Sequence, residues 1–423
     1  MLPGHPVLFK SMCYVDGRWI HSDSAATRAV VNPADQSVIG HVPMLERAQI
    51  VGAVDAAQRA FGTWRWTPQA ARSAALLRWH ALILRHLDDL AALLSLEQGK
   101  PLAEARGEIR YAASFVEWFA NEAKRTAGRT IPTHIDGAHL GTVMEPVGVA
   151  ALITPWNFPA AMITRKAAAA LAVGCTVVVK PAHETPFSAL ALAQLADEAG
   201  FPAGVFNVVL GEPQMAMEAL VGDARVRAVS FTGSTRVGRL VTETAAKAGI
   251  RKIALELGGN APFIVTDDAD LDDAVRIAVG AKFQTSGQDC SAANRIFVAR
   301  ALYDAFVGRY ASAVRALKTG SAFEPGVDVG PLMHQAAFDA TVARVDDARA
   351  RGARIDTIFQ LVRRLDFAMV SVNGVKFTGA PIPFGGTKAS GLGREGGVEG
   401  FEPFTETKYF CLGNLGLPIA ATA

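Results

Sequence analysis

Cysteine is scarce in this chain, and no apolar run in it is long enough to span a membrane. Only four of the 423 residues are cysteines, namely Cys13, Cys175, Cys290 and Cys411, and their spacing contains no CxxC pair and no metal-ligand pattern. The longest nearly apolar run is 167–179, whereas a membrane span needs roughly 20 residues. These absences predict no metal site and no membrane anchor, and they favour a reduced, cytoplasmic protein.

The chain also lacks a large excess of either sign of charge, because it contains 42 lysines and arginines and 40 aspartates and glutamates. The net charge of +2 gives no reason to expect a nucleic acid or an anionic membrane as a partner. The first residues lack the basic start and apolar stretch of a signal peptide, which agrees with a cytoplasmic location. The length and the 50% hydrophobic content suit two or three globular domains.

Helical and strand-like segments alternate along the chain. Helical periodicity covers 47–64, 69–98 and 101–125, and Gly99 is expected to end the second segment. Strands are then expected at 147–153, 176–179, 205–210, 228–231, 253–257 and 262–265, with helices between them at about 160–172, 187–199, 213–222 and 235–248. Apolar strands that alternate with helices are typical of a parallel sheet covered on both faces. The expected fold class is therefore α/β with a parallel sheet.

Further elements are expected beyond this region. A helix over 269–286 opens on Asp-Ala-Asp, which is a favourable cap, and a strand at 294–298 follows it. Two long helices are predicted at 301–318 and 334–351.

Cys290 is the first candidate for chemistry, because it ends the polar, glycine-containing turn FQTSGQDC. A lone cysteine is most often a small buried hydrophobic residue, but a nucleophile must be presented from a loop, as it is here. The nearest histidines in the sequence are His183 and His334. Their distance weakens a Cys–His hydrolase interpretation without excluding it, since such partners need only meet in space.

Two further polar residues stand at or beyond the ends of apolar strands. Glu256 lies in ALELGGN, where desolvation would raise its pKa towards that of a general base; the alternative is a structural or solvent-facing carboxylate. Asn157 lies in TPWNFP, a loop fixed by two prolines where open α/β sheets bind their ligands. Its amide could hold an oxyanion, or it could only satisfy its own loop.

The segment FTGSTRVG indicates an anion site around Gly233 and Ser234. It reads as a strand, a glycine turn and a helix start, and the free N–H groups of such a turn suit a pyrophosphate. The segment is not the GxGxxG fingerprint and is weak evidence by itself. Lys180 ends a neighbouring strand, from which it could reach a ribose or phosphate; the alternative is an ordinary solvated lysine.

The chain resembles the aldehyde dehydrogenase superfamily in five strings that follow one another in the family's order. They are PWNFPAAMITRKAAAALAVGCTVVVKPA, FTGSTRVG, LELGGNAPFIV, the GQDC turn and PFGGTKASGLGREG. The resemblance covers nearly the whole chain and is strongest to the succinate-semialdehyde dehydrogenase branch. It implies oxidation of a small-molecule aldehyde, succinate semialdehyde being one candidate, to a carboxylic acid with NADP or NAD as cofactor.

The resemblance also assigns roles to residues. Cys290 would form a thiohemiacetal, Asn157 and the backbone N–H of Cys290 would hold the oxyanion, and Glu256 would activate the water that hydrolyses the thioester. Hydride would pass to the nicotinamide between these steps. The residues expected at the cofactor are Trp156, Lys180, His183, Gly233, Ser234 and Leu257.

Specificity depends on departures from the family pattern. Where many NAD-preferring members carry a glutamate that binds the adenosine ribose, this chain has His183, so NADP+ is expected to be tolerated or preferred, while the adjacent Glu184 leaves NAD+ open. Arg165 matches a family residue that binds the distal carboxylate of succinate semialdehyde. Gln284 replaces a second such arginine, and Thr378 stands where a serine is expected.

The chain is shorter than the family pattern at one place. The family has several tens more residues between the helix at 334–351 and Thr357, including an ExFGP motif that grips the nicotinamide ribose, whereas here 352–355 run straight on. Loss of that segment would leave the nicotinamide badly held. Two alternatives therefore stay open beside the dehydrogenase: a cofactor-independent thiol esterase and a non-catalytic scaffold.

The resemblance implies a three-part, aldehyde dehydrogenase-like architecture. A doubly wound dinucleotide-binding domain is expected over 13–124 and 145–257. A second α/β domain, the catalytic one, is expected over 258–407 without an internal segment near 352–357. The segments 125–144 and 408–423 are expected to form an oligomerisation arm, and the family association implies a homodimer or homotetramer.

Overall fold

The computed structural model describes residues 8–249, 251–350, 369 and 378–413. The strands are β1 (Cys13–Val15), β2 (Arg18–Ile20), β3 (Thr27–Val31), β4 (Val38–Pro43), β5 (Arg129–Ile131), β6 (Ala138–Pro146), β7 (Val149–Ile153), β8 (Thr176–Lys180), β9 (Phe206–Val208), β10 (Val226–Thr232), β11 (Lys252–Glu256), β12 (Ala261–Val265), β13 (Ala293–Val298), β14 (Gly391–Leu392) and β15 (Thr405–Gly413). The α-helices are α1 (Arg47–Trp64), α2 (Gln69–Arg85), α3 (Leu87–Gln98), α4 (Leu102–Glu122), α5 (Ala161–Val173), α6 (Pro186–Glu198), α7 (Pro213–Val221), α8 (Thr235–Ala248), α9 (Leu271–Phe283), α10 (Tyr303–Ala316) and α11 (Gln335–Ala350).

An eight-stranded sheet forms the centre of the fold, and its five parallel strands follow the order β9-β8-β7-β10-β11. The chain starts at β7, moves outward to β9, and then returns to add β10 and β11 on the other side. This order makes the sheet doubly wound, with its topological switch between β7 and β10. Ligands of such sheets bind beyond the carboxyl ends of the strands at the switch. The predicted α/β fold class is confirmed.

Short antiparallel strands extend both edges of this sheet. At one edge β1 pairs with β9 and then with β2. At the other edge β14 pairs with β11, so a strand from the range expected for the second domain completes the first sheet. The domain bounds inferred from the resemblance remain predictions.

Helix α5 is hidden on every side, since all of its residues from Ala161 to Val173 are buried. Its alanine-rich sequence lets it pack closely against α4 and α2. Gly174 ends it in the left-handed conformation, with φ of 105°. Because α5 begins directly after the loop that carries Asn157, this rigid helix anchors one wall of the candidate site.

Two predicted helices differ from the observed ones. The segment 69–98 is divided at His86, whose φ of −100° and ψ of 25° leave the helical conformation. The acidic Asp88 and Asp89 favour a new helix start there, and α3 then ends at Gly99 as predicted. The helix expected to reach 286 ends at Phe283.

A second, smaller parallel pair of strands, β12 and β13, follows the main sheet. Helices α9 and α10 pack together beside it, around a core of Val265, Val275, Ala278 and Phe306. Asp270 caps α9 by accepting from the N–H of Asp273, as the acidic start of this helix predicted.

A three-stranded antiparallel sheet is formed by β5, β6 and β15. Strand β15 pairs with β6 along its whole length, from Thr405 opposite Pro146 to Gly413 opposite Ala138. Tyr409 and Leu412 lie exposed on it. The part of the predicted arm after residue 413 lies outside the described residues. Among the described helices, none is both long and apolar enough to cross a membrane.

Candidate active site

A cavity of about 680 Å³ opens beyond the carboxyl ends of β7, β10 and β11. The sequence-predicted residues that line it are Trp156, Asn157, Arg165, Gly233, Ser234, Glu256, Leu257, Gln284 and Cys290. They come from distant parts of the chain, and the doubly wound topology brings them together. Thr378, noted as a departure from the family pattern, also lines this cavity.

Lys180 and His183 do not line the cavity. Lys180 ends β8 and is buried, with its Nζ 3.4 Å from the carbonyl of Pro181. His183 is half-buried and its Nε2 lies 3.3 Å from a carboxylate oxygen of Glu184. Burial lowers the pKa of both side chains, the nearby Glu184 carboxylate opposes that shift, and the charge of Arg28 adds to it. These residues form a second polar group, next to the cavity.

Trp156 connects this second group to the cavity through His334. The His334 ring meets the Trp156 ring edge-on, with centroids 5.6 Å apart. Nε2 of His334 also lies 3.4 Å from the same Glu184 oxygen that His183 approaches. One carboxylate is therefore shared by two imidazoles at the rim of the site.

The nucleophile loop (284–292) joins α9 to β13 and presents Cys290. Thr285 and Ser286 adopt φ of 50° and 56°, a left-handed conformation that costs a non-glycine residue about 1–3 kcal/mol. A carboxylate oxygen of Glu104 accepts from the N–H and the hydroxyl of Thr285, at 2.7 and 2.9 Å. This contact comes from α4, and it holds the loop in a conformation that local propensity does not favour.

Cys290 is a free, partly buried thiol on the cavity wall. Burial raises its pKa to about 12, and the neighbouring carboxylates of Asp289 and Glu256 act in the same direction. The guanidinium of Arg165 acts the opposite way. The thiol is therefore protonated at neutral pH, and a base is needed to make it nucleophilic.

Glu256 ends β11 with its side chain buried in the same cavity. Burial raises its pKa to about 7, although the cations of Arg165 and Lys166 lower it. Its Oε1 has no hydrogen-bond partner among the described residues. A buried carboxyl that titrates near neutrality and keeps a free oxygen is suited to accept a proton.

Asn157 lies in the loop between β7 and α5 (154–160, the Asn157 loop). Its Nδ2 donates to the carbonyl of Gln288 at 2.8 Å, which ties this loop to the nucleophile loop two residues before Cys290. Since an amide nitrogen carries two hydrogens, one remains for a developing oxyanion. The backbone carbonyl of Asn157 accepts from Nζ of Lys100 at 2.9 Å.

Lys100 was not singled out from the sequence. A lysine between a helix-ending glycine and a proline gives no local sign of burial, yet its side chain is fully buried and pairs with Glu108 at 2.6 Å. The available signal was on α4, where Glu104 and Glu108 lie four residues apart and therefore on one face of the helix. Both residues line the cavity.

Glu395 was also missed as a residue, although the GLGREG string that contains it was noted. Its buried carboxylate accepts from Nε of Arg165 at 2.6 Å and pairs with the ammonium of Lys166. Arg165 packs on the ring of Phe384, with its guanidinium carbon 4.3 Å from the ring centroid. Its Nη2 has no partner among the described residues.

The switch point suits a dinucleotide. Helix α8 begins just after β10, and the hydroxyl of Ser234 caps it by accepting from the N–H of Val237 at 3.3 Å. At Gly233 a Cβ would lie 2.5 Å from the ring of Phe231, so the turn has no room for a side chain. The hydroxyl of Thr232 is buried, lines the cavity and lacks a partner in the described chain. A phosphate group fits this helix start.

The comparisons with known proteins decide the family. The profile described as "Aldehyde dehydrogenase family" matches residues 19–357 and 354–410. The chain belongs to the aldehyde dehydrogenase family. It is 50% identical to the non-phosphorylating aspartate-semialdehyde dehydrogenase of Halomonas elongata, with 97% of each chain covered. It is 42% identical to the succinate-semialdehyde dehydrogenase [NADP(+)] of Escherichia coli K12, covering 96% of this chain and 98% of that one.

The crystal structure of an aldehyde dehydrogenase from Brucella melitensis biovar abortus 2308 has the same fold. It superposes with a TM-score of 0.93 at 43% identity, covering 97% of this chain and 99% of that one. The predicted resemblance to the family, with homologues among succinate-semialdehyde dehydrogenases, is confirmed.

The comparisons also bear on chain length. The alignment with the Halomonas protein spans 478 positions, more than the 423 residues of this chain, so that relative has residues without a counterpart here. The two segments of the family match meet at 354–357, within the region where the sequence analysis places the missing segment. That region lies outside the described residues.

Proposed function

We propose that this chain oxidises an aldehyde with a distal anionic group to the corresponding carboxylic acid, using NAD(P)+. One observation carries the proposal: Cys290, Glu256, Asn157 and Arg165 share one cavity with the start of α8. A nucleophile, a base, an oxyanion donor and a cation for the substrate thus line one cavity.

Cys290 opens the reaction. Because burial keeps its thiol protonated, a base in the cavity must take the proton, and Glu256 with a pKa of about 7 is suited to do so. The sulfur then bonds to the aldehyde carbon, and the negative charge that develops on oxygen is held by Nδ2 of Asn157 and the N–H of Cys290. Such donors are worth about 3–4 kcal/mol in acyl-transfer sites. NAD(P)+, when bound, would supply the hydride acceptor for that carbon.

Glu256 acts again in the second half of the reaction, after it has released to solvent the proton that it took from the thiol. The thioester on Cys290 is attacked by a water whose proton passes to Oε1 of Glu256, an oxygen without a partner among the described residues. The carbon–sulfur bond breaks, the carboxylic acid leaves, and Glu256 passes the proton it took from water to the departing sulfur of Cys290.

The cofactor would lie along β10, β8 and their loops. The start of α8 with Gly233 and Ser234 would hold the pyrophosphate, and Trp156 and Leu257 would line the adjoining wall. Lys180 and His183 would lie near the adenosine ribose, with Arg28 adding positive charge there. A cationic group without the family's ribose-binding glutamate favours NADP+, and the name of the Escherichia coli relative includes that cofactor.

For the substrate, succinate semialdehyde is the first candidate. Nη2 of Arg165, which has no partner among the described residues, would donate to a carboxylate, while its Nε is held by Glu395. Aspartate semialdehyde is the second candidate, favoured by the neutral Gln284 on the cavity wall. An arginine at that position would repel the substrate ammonium, and an amide does not.

The short chain limits how firmly the nicotinamide is held. We propose that the residues missing at 354–357 include the family's ribose-gripping motif, so cofactor affinity is lower than in full-length relatives. A thiol esterase and a non-catalytic scaffold therefore stay as the competing functions. The esterase needs the same three residues, Cys290, Asn157 and Glu256, without any cofactor.

Assays of the full chain with succinate semialdehyde plus NADP+ or NAD+, and with p-nitrophenyl acetate alone, test the proposal. We expect NAD(P)H from the first assay and ester hydrolysis in the second, both lost in Cys290→Ser, since a serine hydroxyl is a far weaker nucleophile. Cys411→Ser, which changes an exposed cysteine on β15, is the matched control and should leave both activities unchanged. Ester hydrolysis alone would establish the esterase, and neither activity would leave the scaffold.

We also propose that the β5-β6-β15 sheet is the oligomerisation arm and pairs with a second copy of the chain in a homodimer or homotetramer. Phe410 and Leu412 are exposed on one face of β15 and Tyr409 on the other, and exposed large apolar side chains such as these support this assignment. Mass measurement in solution, with Phe410→Glu as the disrupting variant, tests it. The cytoplasmic location stays a prediction.

A further inference from the structure

We infer that Lys100 is a positioning residue, which fixes the position of the Asn157 loop relative to the nucleophile loop. The inference rests on the proposed function, since both the dehydrogenase and the ester reaction need these two loops.

The contacts of Lys100 reach three different elements. Its Nζ lies 2.6 Å from Oε2 of Glu108 on α4, 2.9 Å from the carbonyl of Asn157 and 3.1 Å from the hydroxyl of Thr285. An ammonium group has three hydrogens, and each is donated to one of these partners. The ring of Phe158 closes the remaining side, with its centroid 4.2 Å from Nζ. Lys100 thus joins a helix to both loops of the site.

Helix α4 is a firm base for this contact. Oε1 of Glu108 accepts from the N–H groups of Ala160 and Ala161 at 3.0 and 3.3 Å, which fixes the start of α5. Four residues earlier, Glu104 holds the backbone and the hydroxyl of Thr285. One face of α4 therefore binds both the start of α5 and the nucleophile loop, which lie on opposite sides of the cavity.

The geometry connects Lys100 to the chemistry through Asn157. The same residue is held at its carbonyl by Lys100 and at its Nδ2 by the carbonyl of Gln288 in the nucleophile loop. Without Lys100 the Asn157 backbone loses one of these two supports. The amide then shifts relative to Cys290, and displacement by about 1 Å can cost about a hundredfold in rate.

Stability alone does not account for this arrangement. A buried ion pair gives little net stability, because removing two charges from water offsets their attraction. In the nucleophile loop, Thr285 is held left-handed, so its contacts with Lys100 and Glu104 maintain a conformation that the loop would otherwise leave.

A double-mutant cycle with Lys100→Met and Asn157→Ala tests the inference. Rates are measured for cofactor-free hydrolysis of p-nitrophenyl acetate and for aldehyde oxidation, using whichever reaction the wild type catalyses. Lys100→Met alone should lower kcat about a hundredfold with little change in KM. In the Asn157→Ala background it should lower kcat by less than about fivefold, because the group it positions is already absent. If Lys100→Met lowers kcat by the same factor in the wild type and in Asn157→Ala, the inference is overturned.

Two conservative variants separate position from charge and from folding. Lys100→Arg keeps the charge but cannot direct three hydrogens from one atom, so we expect no rescue; wild-type rates in this variant would refute the positioning role. Thr285→Val is nearly isosteric and removes the hydroxyl that accepts from Lys100 and donates to Glu104, while the backbone N–H of Thr285 keeps its bond to Glu104; it should lower kcat about tenfold. If Lys100→Met does not fold, Thr285→Val takes its place in the test. An unchanged kcat in Thr285→Val would then refute the inference.

Lys247→Met is the matched control, since Lys247 and Glu243 form an ion pair of 2.7 Å on the exposed face of α8. Its kcat should equal that of the wild type. Failure of the proposed function is distinguishable: a wild type that hydrolyses the ester without oxidising aldehydes refutes the dehydrogenase, while the cycle on the ester reaction still decides the role of Lys100.

Discussion

Arg165 and Glu395 form a buried ion pair in which Nε of the arginine donates to Oε2 of the glutamate at 2.6 Å. The same carboxylate pairs with Lys166, so one negative charge faces two cations. Nη2 of Arg165 has no partner in the described part of the chain, so one buried donor stays unused in a side chain that lines the cavity. The pair therefore orients Arg165 without using all of its hydrogen-bonding capacity.

Arg165→Ala should lower kcat/KM for succinate semialdehyde about tenfold to a hundredfold, because a charge-assisted hydrogen bond is worth about 1.5–3 kcal/mol. For butanal, an uncharged aldehyde with the same number of carbons, the variant's kcat/KM should fall much less. Comparison of the two substrates on the same variant cancels any loss of folded protein. A parallel loss for both aldehydes would make Arg165 a structural residue that ties α5 to Glu395.

The acidic limb of the pH profile should report Glu256. Its pKa is raised to about 7 by burial, so below that pH the carboxyl is protonated and cannot accept a proton. We expect kcat/KM to fall about tenfold per pH unit below pH 7 and to level off above it. The limb should vanish in Glu256→Gln, whose residual rate is low at every pH.

Glu97→Gln is the control for this titration. Burial raises the pKa of Glu97 to about 8, but its carboxylate serves the start of α6 by accepting from the N–H groups of Phe187 and Ser188. The limb should persist in this variant. If the acidic limb shifts in Glu97→Gln and remains in Glu256→Gln, Glu256 is not the base.

The parts of the fold that depend on local pattern were predictable. Strand 176–179 consists of β-branched residues, one threonine and three valines, and the observed strand differs from it by one residue, Lys180. Contacts across the chain were not predictable: Glu395 meets Arg165 across 230 positions, and Glu104 meets Thr285 across 181. The helix predicted to reach 286 ended early for that reason, because a distant carboxylate stabilises Thr285 outside the helical region.

His183→Glu should shift cofactor preference towards NAD+. A carboxylate at this half-buried position accepts from the ribose hydroxyls and repels a 2′-phosphate, an effect of about tenfold to a hundredfold for one charge-assisted contact. The measurement is the ratio of kcat/KM for NADP+ to that for NAD+. Glu184→Gln, which changes the adjacent carboxylate instead, is the control and should raise the ratio. A ratio unchanged in His183→Glu would place His183 away from the adenosine ribose.

Gln284→Arg separates the two candidate substrates. Gln284 is exposed to the cavity at the end of α9, so a longer side chain can be accommodated there. A second cation attracts the carboxylate of succinate semialdehyde but repels the ammonium that aspartate semialdehyde carries on the adjacent carbon. We expect kcat/KM to rise about tenfold for the first and to fall for the second, relative to butanal. Gln284→Met, neutral and similar in length, should move neither ratio. If both semialdehydes improve equally in Gln284→Arg, the added cation acts on the carboxylate alone, and the neutral Gln284 no longer favours aspartate semialdehyde.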